Sequence, residues 1–276
     1  MGTGRSAVLG SGNQLTHQTG NSLQAPHHLV TDLAKRETIK TWSLIVTLFG
    51  DLDGSNLTGA EIRELLSHIG VRPDTIRVAL HRLKSDGWID ASRRGREAVY
   101  ALSGIGREQT RAATPDIYRR DVKYPDGWQF LVSPEQAIAP PAIAVTREVF
   151  LCPSTQRDIE LNTLVLRSAA QGLPHWCARH LVPESLQQNA QALIDALAAY
   201  PAAKTAFGQQ DAIAFRLLVL HHWRRLALRT GTWAHIDLVP HGVLAQCHAT
   251  VTEFLEQTPR IAFEAPSESQ DAGNKP

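Results

Sequence analysis

Apolar residues recur at three- and four-residue intervals through three successive segments near the start of the chain, as they do on the buried faces of amphipathic helices. The pattern predicts helices over residues 39–50, 58–69 and 73–86. Thr58 and Glu61 stand three residues apart at the start of the second helix, which is the spacing of a capping box. The third helix begins with a proline, a residue favoured in the first helical turn.

After the third helix, the pattern changes to short β-compatible runs. Residues 88–92 and 98–102 form two such runs, and Gly95 between them can adopt a positive φ angle. They predict a two-stranded β-hairpin with its loop at 93–97. Three helices followed by a hairpin is the order of a winged helix-turn-helix domain, which we place at residues 36–106.

The rest of the chain combines strands with helices, which predicts an α+β protein. The pattern favours strands over 128–133 and 145–152 and helices over 183–200, 213–228 and 241–257. The helix over 213–228 is apolar on more than one face, as is typical of a helix buried between partners.

Composition and the two chain ends narrow the class of protein. With 276 residues, of which 43% are hydrophobic and 20% charged, the chain is expected to be a soluble globular protein of two or three domains. The longest apolar stretch, residues 42–50, is shorter than the roughly 18 residues of a membrane span, so no membrane partner is expected. Three cysteines favour a reducing compartment, the cytoplasm. Residues 1–35 are expected to be a disordered tail and residues 261–276 a loose one.

Positive charge is concentrated in one part of the chain. The net charge is only +1, but residues 72–124 hold twelve Lys and Arg against seven Asp and Glu. A basic segment inside a nearly neutral chain is typical of a nucleic-acid-binding surface.

The third predicted helix presents candidate base-reading residues. Its buried positions, Ile76, Leu80 and Leu83, leave the opposite face to solvent. An outward valine suits contact with a thymine methyl group, and arginine can bond guanine O6 and N7. A cluster of arginines at a hairpin tip suits phosphates or the minor groove. The candidate DNA-binding residues are Thr75, Arg77, Val78, His81 and Arg82 on the helix and Arg93, Arg94 and Arg96 at the hairpin.

The sequence also bears on two other classes of function, metal binding and enzyme activity. His175, Cys177 and His180 have a spacing that metal ligands can have, but no second pair stands at a fixed distance, so no metal site is assigned. The chain lacks the motifs of serine hydrolases, P-loop proteins, zinc proteases and dinucleotide-binding enzymes, so we expect no enzyme activity and no cofactor. A winged-helix protein-interaction module and a His/Cys metal-responsive regulator remain the alternatives.

Several runs of residues resemble a known family. The runs TIRVALHRLKSDGWI at 75–89, RRGREAVYALS at 93–103 and SLIVTLFGD at 43–51 are similar to the PaaX family of bacterial repressors of phenylacetate catabolism. A weaker similarity returns at LHHWRRLALR, residues 220–229, and at 238–240.

The resemblance implies an organisation in three parts. After the winged helix it implies a small ferredoxin-like α+β middle domain at 107–208 and a C-terminal helical part at 209–260 used for dimerisation. It also implies a homodimeric repressor of an aromatic-acid catabolic operon, which binds double-stranded operator DNA and is released by an aryl-CoA thioester such as phenylacetyl-CoA.

Such an effector would need cations for its phosphates beside apolar and aromatic surface for its acyl group. Outside the winged helix, this combination is densest in one short stretch of the helix over 213–228. The candidate effector residues are His221, Trp223, Arg224, Arg225 and Arg229.

Overall fold

A computed structural model describes residues 26–52, 55–120, 127–134, 138, 142–154, 159, 162–167, 181–230, 242–258 and 260–261 of the chain. The helices in these ranges are α1 (Pro26–Lys35), α2 (Thr41–Asp51), α3 (Gly59–His68), α4 (Pro73–Ser85), α5 (Gly104–Ile117), α6 (Glu184–Ala203), α7 (Gln209–Thr230) and α8 (Val243–Gln257). The strands are β1 (Leu57–Thr58), β2 (Ile89–Arg94), β3 (Glu97–Leu102), β4 (Trp128–Val132), β5 (Ile143–Ala144), β6 (Val149–Pro153) and β7 (Leu164–Arg167). The predicted α+β class is confirmed. No helix in the described ranges is both long enough and apolar enough for a membrane span.

Helices α2, α3 and α4 follow the predicted order, and local sequence signals explain where they begin and end. The capping box at the start of α3 is present: the Glu61 amide donates to Thr58 Oγ1 at 3.2 Å and the Thr58 amide donates to Glu61 Oε2 at 2.6 Å. Gly70 follows the end of α3 with a φ of 84° and Gly87 follows the end of α4 with a φ of 74°. Glycine adopts such positive φ angles without the steric cost that other residues meet.

The hairpin is longer and its turn tighter than predicted. Strand β2 continues through Arg94, which pairs with Glu97 at the start of β3, so only Gly95 and Arg96 form the turn. Gly95 takes the positive φ, 62°, that a two-residue turn requires. Strand β1 pairs with β3, so the sheet has three strands where the sequence predicted two.

Helix α5 was not predicted, and the proposed domain boundary at residue 106 falls inside it. The Ser103 hydroxyl caps the helix by accepting from the Gly106 amide at 3.0 Å. A Cβ atom at Gly106 would collide with the carbonyl oxygen of Trp88, so only glycine permits this close packing of α5 against the start of the hairpin. The sequence offered no sign of this helix because it contains three poor helix formers, Gly104, Gly106 and Pro115.

Helix α7 is the central helix of the fold. It packs against α1, α2, α3, α5, α6 and α8 of the same chain, so most of its apolar residues are buried within one molecule, and Leu228 near its C-terminal end is exposed. The fully buried residues of its middle turns are Ala214, Phe215, Leu217, Leu218 and Val219. The predicted winged-helix and C-terminal parts therefore share one hydrophobic core.

Three boundary predictions at the ends of elements were wrong. Residues 26–35 belong to helix α1, and its Leu29 and Leu33 are buried beside α7, so the predicted disordered tail does not extend to residue 35. Helix α6 runs to Ala203, past its predicted end at residue 200. Ile261, the first residue of the predicted loose tail, is buried.

The second sheet has the strand order β5-β6-β4-β7, and each neighbouring pair is antiparallel. Leu131, Phe150 and Cys152 form a small buried cluster of their own on it. The predicted strand over 145–152 begins later, at Val149, because the Val145 and Thr146 amides both donate to the Val149 carbonyl in a turn that joins β5 to β6.

A buried ion pair connects the first part of the chain to its C-terminal helices. Arg216 of α7 donates to Asp51 at the end of α2, with Nε 2.7 Å from Oδ2 and Nη2 2.8 Å from Oδ1. Tyr118 donates its hydroxyl to Asp51 Oδ1 at 2.9 Å, and the Ile261 amide donates to Oδ2 at 3.2 Å. Burial raises the pKa of Asp51, but the hydrogen bonds and the charge of Arg216 outweigh this and hold the pKa below its usual value.

Candidate nucleic-acid interface

The outward face of α4 carries every helical residue predicted to contact DNA. Thr75, Arg77, Val78, His81 and Arg82 are all exposed. The side chain of Val78 is 64% exposed, which is unusual for a valine on an amphipathic helix and gives this face an apolar centre among cations.

The two α4 arginines are held only by weak surface contacts. Arg77 lies 3.4 Å from Asp74 and Arg82 lies 3.4 Å from Asp86. Exposed ion pairs of this kind contribute about 0–1 kcal/mol, so a phosphate or a base edge can replace either carboxylate at little cost. The Arg82 guanidinium also lies 5.7 Å from the ring centroid of Trp42 on α2, a cation–π contact that limits how far the side chain can swing.

The side chains of the three hairpin arginines do not all point in the same direction. Successive residues of a strand point to opposite faces, so Arg93 and Arg94 project from opposite sides of the hairpin, while Arg96 lies in the turn. All three are exposed, and in the part of the chain that the structure describes no carboxylate forms an ion pair with any of them. Their charges are available to an external anion.

A groove of about 370 Å³ lies between α4 and the β2–β3 hairpin. Arg77 of α4 and Arg96 of the hairpin turn both line it, and Arg63 of α3 adds a third cation. Asp74 and Glu97 line it as well. Candidates from two separate sequence segments therefore border one surface.

Arg63 was missed by the sequence analysis. The capping box correctly located the start of α3, but the first turns of α3 reach the hairpin only because β1 pairs with β3, Thr58 opposite Val99. A strand of two residues gives no periodic signal, so the sequence offered no indication of this contact.

The predicted effector residues are separated by the structure, and two of them lie in the core. The side chains of His221 and Trp223 are each 1% exposed. Trp223 donates its indole N–H to the Ile117 carbonyl at 2.8 Å, and His221 Nδ1 lies 3.3 Å from Thr47 Oγ1. Burial, together with the positive charges of nearby residues, lowers the pKa of His221 to about 3. Neither side chain can touch a ligand without movement of the core.

The arginines of the same set have different surroundings. Arg225 is half-exposed and forms an ion pair with Glu37. Arg224 is partly buried and lies beside a small cavity, where Thr47 Oγ1, at 3.5 Å, is its closest polar partner. The side chain of Arg229 lies outside the described residues.

The metal alternative finds no support among the residues that the structure describes. They contain no group of three or more His, Cys, Asp and Glu side chains able to hold a metal ion. His222 donates to the Leu33 carbonyl at 3.0 Å and His248 to the Arg119 carbonyl at 2.8 Å, so both are structural side chains. His175, Cys177 and His180 lie outside the described residues.

Comparison with known proteins finds the following similarities. The model of the family described as PaaX-like protein matches residues 40–106. The transcriptional repressor PaaX of Escherichia coli is 26% identical over 225 residues, 68% of this chain and 70% of the repressor. The solved structure of the uncharacterized protein Rv0674 from Mycobacterium tuberculosis covers 76% of this chain and 91% of its own, with 19% identity and a TM-score of 0.40. The resemblance to the PaaX family that the sequence predicts is confirmed by the first two of these matches.

Proposed function

We propose that the protein is a sequence-specific, DNA-binding transcriptional repressor in which α2, α3, α4 and the β2–β3 hairpin form a winged helix-turn-helix. The observation that carries the proposal is that Arg77, on the outward face of α4, and Arg96, in the hairpin turn, line the same groove. A winged-helix docking module has no need for three exposed arginines at its hairpin tip. The similarity to a protein named as a transcriptional repressor supports the same function.

In this proposal α4 enters the major groove and the hairpin holds the backbone. Arg77 and Arg82 bond guanine edges, Val78 packs on a thymine methyl group, and Thr75 and His81 bond base edges or adjacent phosphates. Arg93, Arg94 and Arg96 contact phosphates or the minor groove. Because Arg93 and Arg94 project from opposite faces of the hairpin, one of them follows the DNA more closely than the other.

The middle sheet supports the ferredoxin-like part of the proposal. Numbered along the chain, its four strands lie in the order second, third, first, fourth, and each adjacent pair is antiparallel. This is the strand order of ferredoxin-like sheets.

The remaining parts of the proposal are a cytoplasmic homodimer on a pseudo-palindromic operator of an aromatic-acid catabolic operon, and release by an aryl-CoA effector. Both are what the resemblance of this chain to the PaaX family implies. The apolar faces of α7 no longer argue for a dimer, because the chain itself covers them. Of the predicted effector residues, Arg224 is the one whose position beside a cavity supports a ligand role. Sedimentation of the full-length protein tests the dimer, and a monomer at micromolar concentration would contradict it.

Selection of bound duplexes from a randomised DNA pool tests the central function. We expect the wild-type protein to enrich one motif in two half-sites about one helical turn apart. Arg77→Ala should relax the preference at a single base pair of each half-site and cost about 1–3 kcal/mol on the selected duplex, with less effect on random DNA. Enrichment of no motif by the wild-type protein would refute sequence-specific repression.

A further inference from the structure

A second groove lies between α2 and α5, and no DNA-binding candidate lines it. Its volume is about 480 Å³, within the range of about 300–1,000 Å³ that is common for small-molecule sites. The residues that line it are Phe49, Gly50, Leu102, Arg107, Thr110, Arg111, Thr114, Pro115, Tyr118 and Arg260.

The rim of this groove is positively charged. Arg107, Arg111 and Arg260 line it, and no carboxylate is among the described residues of its walls. Arg111 pairs with Glu108 outside the groove, at an exposed position where such a contact is easily exchanged. Pro115 and the partly exposed ring of Tyr118 supply apolar surface between the cations. The walls therefore suit a molecule that carries both negative charge and an apolar body.

The groove borders a small cavity of about 20 Å³, which has room for about one water-sized atom, and shares Gly50, Thr110, Thr114 and Tyr118 with it. Arg224 lines this cavity, where burial lowers the pKa of its guanidinium below the usual value. No carboxylate among the described residues forms an ion pair with it.

An unpartnered hydroxyl lies at the same cavity. Thr110 Oγ1 is buried and has no hydrogen-bond partner, although buried hydroxyls nearly always have one. The oxygen of an anion accepts hydrogen bonds from both a guanidinium and a hydroxyl, so a single ligand oxygen in the cavity can accept from Arg224 and Thr110 together.

We propose that the groove between α2 and α5 binds a small organic anion, with one carboxylate or phosphate oxygen at Arg224 and Thr110 and an apolar body against Pro115 and Tyr118. The proposal deepens the proposed function, because it places the effector of the repressor at this groove. It rests on that function for its regulatory consequence only, since binding of the anion does not require DNA.

The position of the groove gives a route from the ligand to the DNA-binding surface. Helix α2 packs against α4, and α5 follows β3 directly with Gly106 pressed against Trp88. The two helices approach closely at the groove, where a Cβ atom on Gly50 would lie 3.5 Å from Thr110 Cγ2. A ligand that widens this gap moves the hairpin relative to α4, and so changes the spacing of Arg77 and Arg96.

Calorimetry on the free, full-length protein tests the site with three probes: sodium phenylacetate, sodium pyrophosphate and phenylacetyl-CoA. We expect at least one probe to bind with a dissociation constant below about 1 mM, a standard free energy near −4 kcal/mol. Binding of phenylacetate without pyrophosphate identifies a carboxylate ligand, and the reverse identifies a phosphate ligand. Binding of none of the three overturns the proposal.

Matched variants locate the bound probe. Arg224→Gln and Thr110→Val should each weaken binding at least tenfold, whereas Arg147→Gln, at an exposed position in the turn between β5 and β6, should leave it unchanged. Thr110→Val preserves side-chain shape and keeps the test available should Arg224→Gln fail to fold. Unchanged binding in Thr110→Val and in a folded Arg224→Gln places the probe elsewhere and overturns the proposal.

DNA binding of the same proteins separates the two proposals. Intact DNA binding by a protein that binds no probe overturns the ligand site alone. Binding of a probe at the groove by a protein with no affinity for DNA supports the ligand site and contradicts the repressor function.

Discussion

The Asp51–Arg216 ion pair makes a sharp prediction about stability. The Asp51 side chain is 0% exposed and that of Arg216 is 5% exposed, so neither charge is solvated by water. Arg216→Met keeps the length and apolar character of the side chain but leaves the carboxylate buried without its cation. Arg225→Met is the matched control, because it removes an arginine from the same helix whose partner, Glu37, is partly exposed.

The expected effects differ severalfold. Removal of one partner of a buried ion pair costs about 3–5 kcal/mol, because the other charge is left uncompensated. The hydrogen bonds to Asp51 from Tyr118 and from the Ile261 amide remain, but those from Arg216 Nη1 to the Thr258 carbonyl and hydroxyl are lost, so we expect a cost within this range for Arg216→Met. Arg225→Met should cost at most about 1 kcal/mol.

Urea unfolding at pH 7, followed by circular dichroism, measures both changes in the free energy of unfolding. The cost of Arg216→Met should decrease on acidification to about pH 5, because a buried carboxyl without its cation has a raised pKa and takes up a proton. A cost for Arg216→Met no greater than that of the control, or one independent of pH, would refute the assignment of Asp51 as a buried, arginine-paired carboxylate.

Three further predictions concern the core and the helix starts. The folded-state pKa of His221 is about 3, so the free energy of unfolding should decrease as pH falls below about 6.5, by about 2 kcal/mol at pH 5 for this histidine. His221→Gln should reduce this dependence of the free energy of unfolding on pH, measured by urea titrations at several pH values. Gly106→Ala should lower the thermal midpoint by several degrees because of the Trp88 carbonyl, whereas Gly104→Ala, with open space around it, should not. Thr58→Ala should cost about 1 kcal/mol by unfolding, through loss of the cap of α3.

The N-terminal helices were predictable because their signals are local. The capping box at Thr58 and the glycines after α3 and α4 act within a few residues of the ends they define, so the sequence alone locates those ends. The outward direction of Val78 followed from the 100° rotation per residue of a helix, and the structure confirms it.

Elements that depend on distant contacts were not predictable. Helix α5 contains two glycines and a proline, and its packing is set by the Trp88 carbonyl against Gly106. Arg216 pairs with a carboxylate 165 residues away, a partner that no periodicity identifies. The sharing of one groove by Arg77 and Arg96 likewise depends on how the hairpin folds back beside α4.

The predicted effector residues show that local composition does not reveal the direction of each side chain. Cations and aromatic side chains are dense at 221–225, but a helix distributes consecutive residues around its axis. His221 and Trp223 therefore face the core, Arg225 faces Glu37, and Arg224 lines a cavity. The density of cationic and aromatic residues in the sequence could not show which of these side chains points toward a ligand-sized space.

The most direct test of the DNA-binding surface is the salt dependence of duplex binding. Fluorescence anisotropy with a 30-base-pair duplex, between about 50 and 200 mM salt, compares the wild-type protein with Arg93→Gln/Arg94→Gln/Arg96→Gln and with Arg147→Gln, an exposed arginine in the turn between β5 and β6. With Arg96 and one of the two strand arginines on phosphates, we expect a slope of log K against log salt that is shallower by about 1.8 in the triple hairpin variant and unchanged in Arg147→Gln. Wild-type affinity weaker than about 10 micromolar at the lowest salt, or equal slopes for all three proteins, would contradict a repressor that holds DNA with this hairpin.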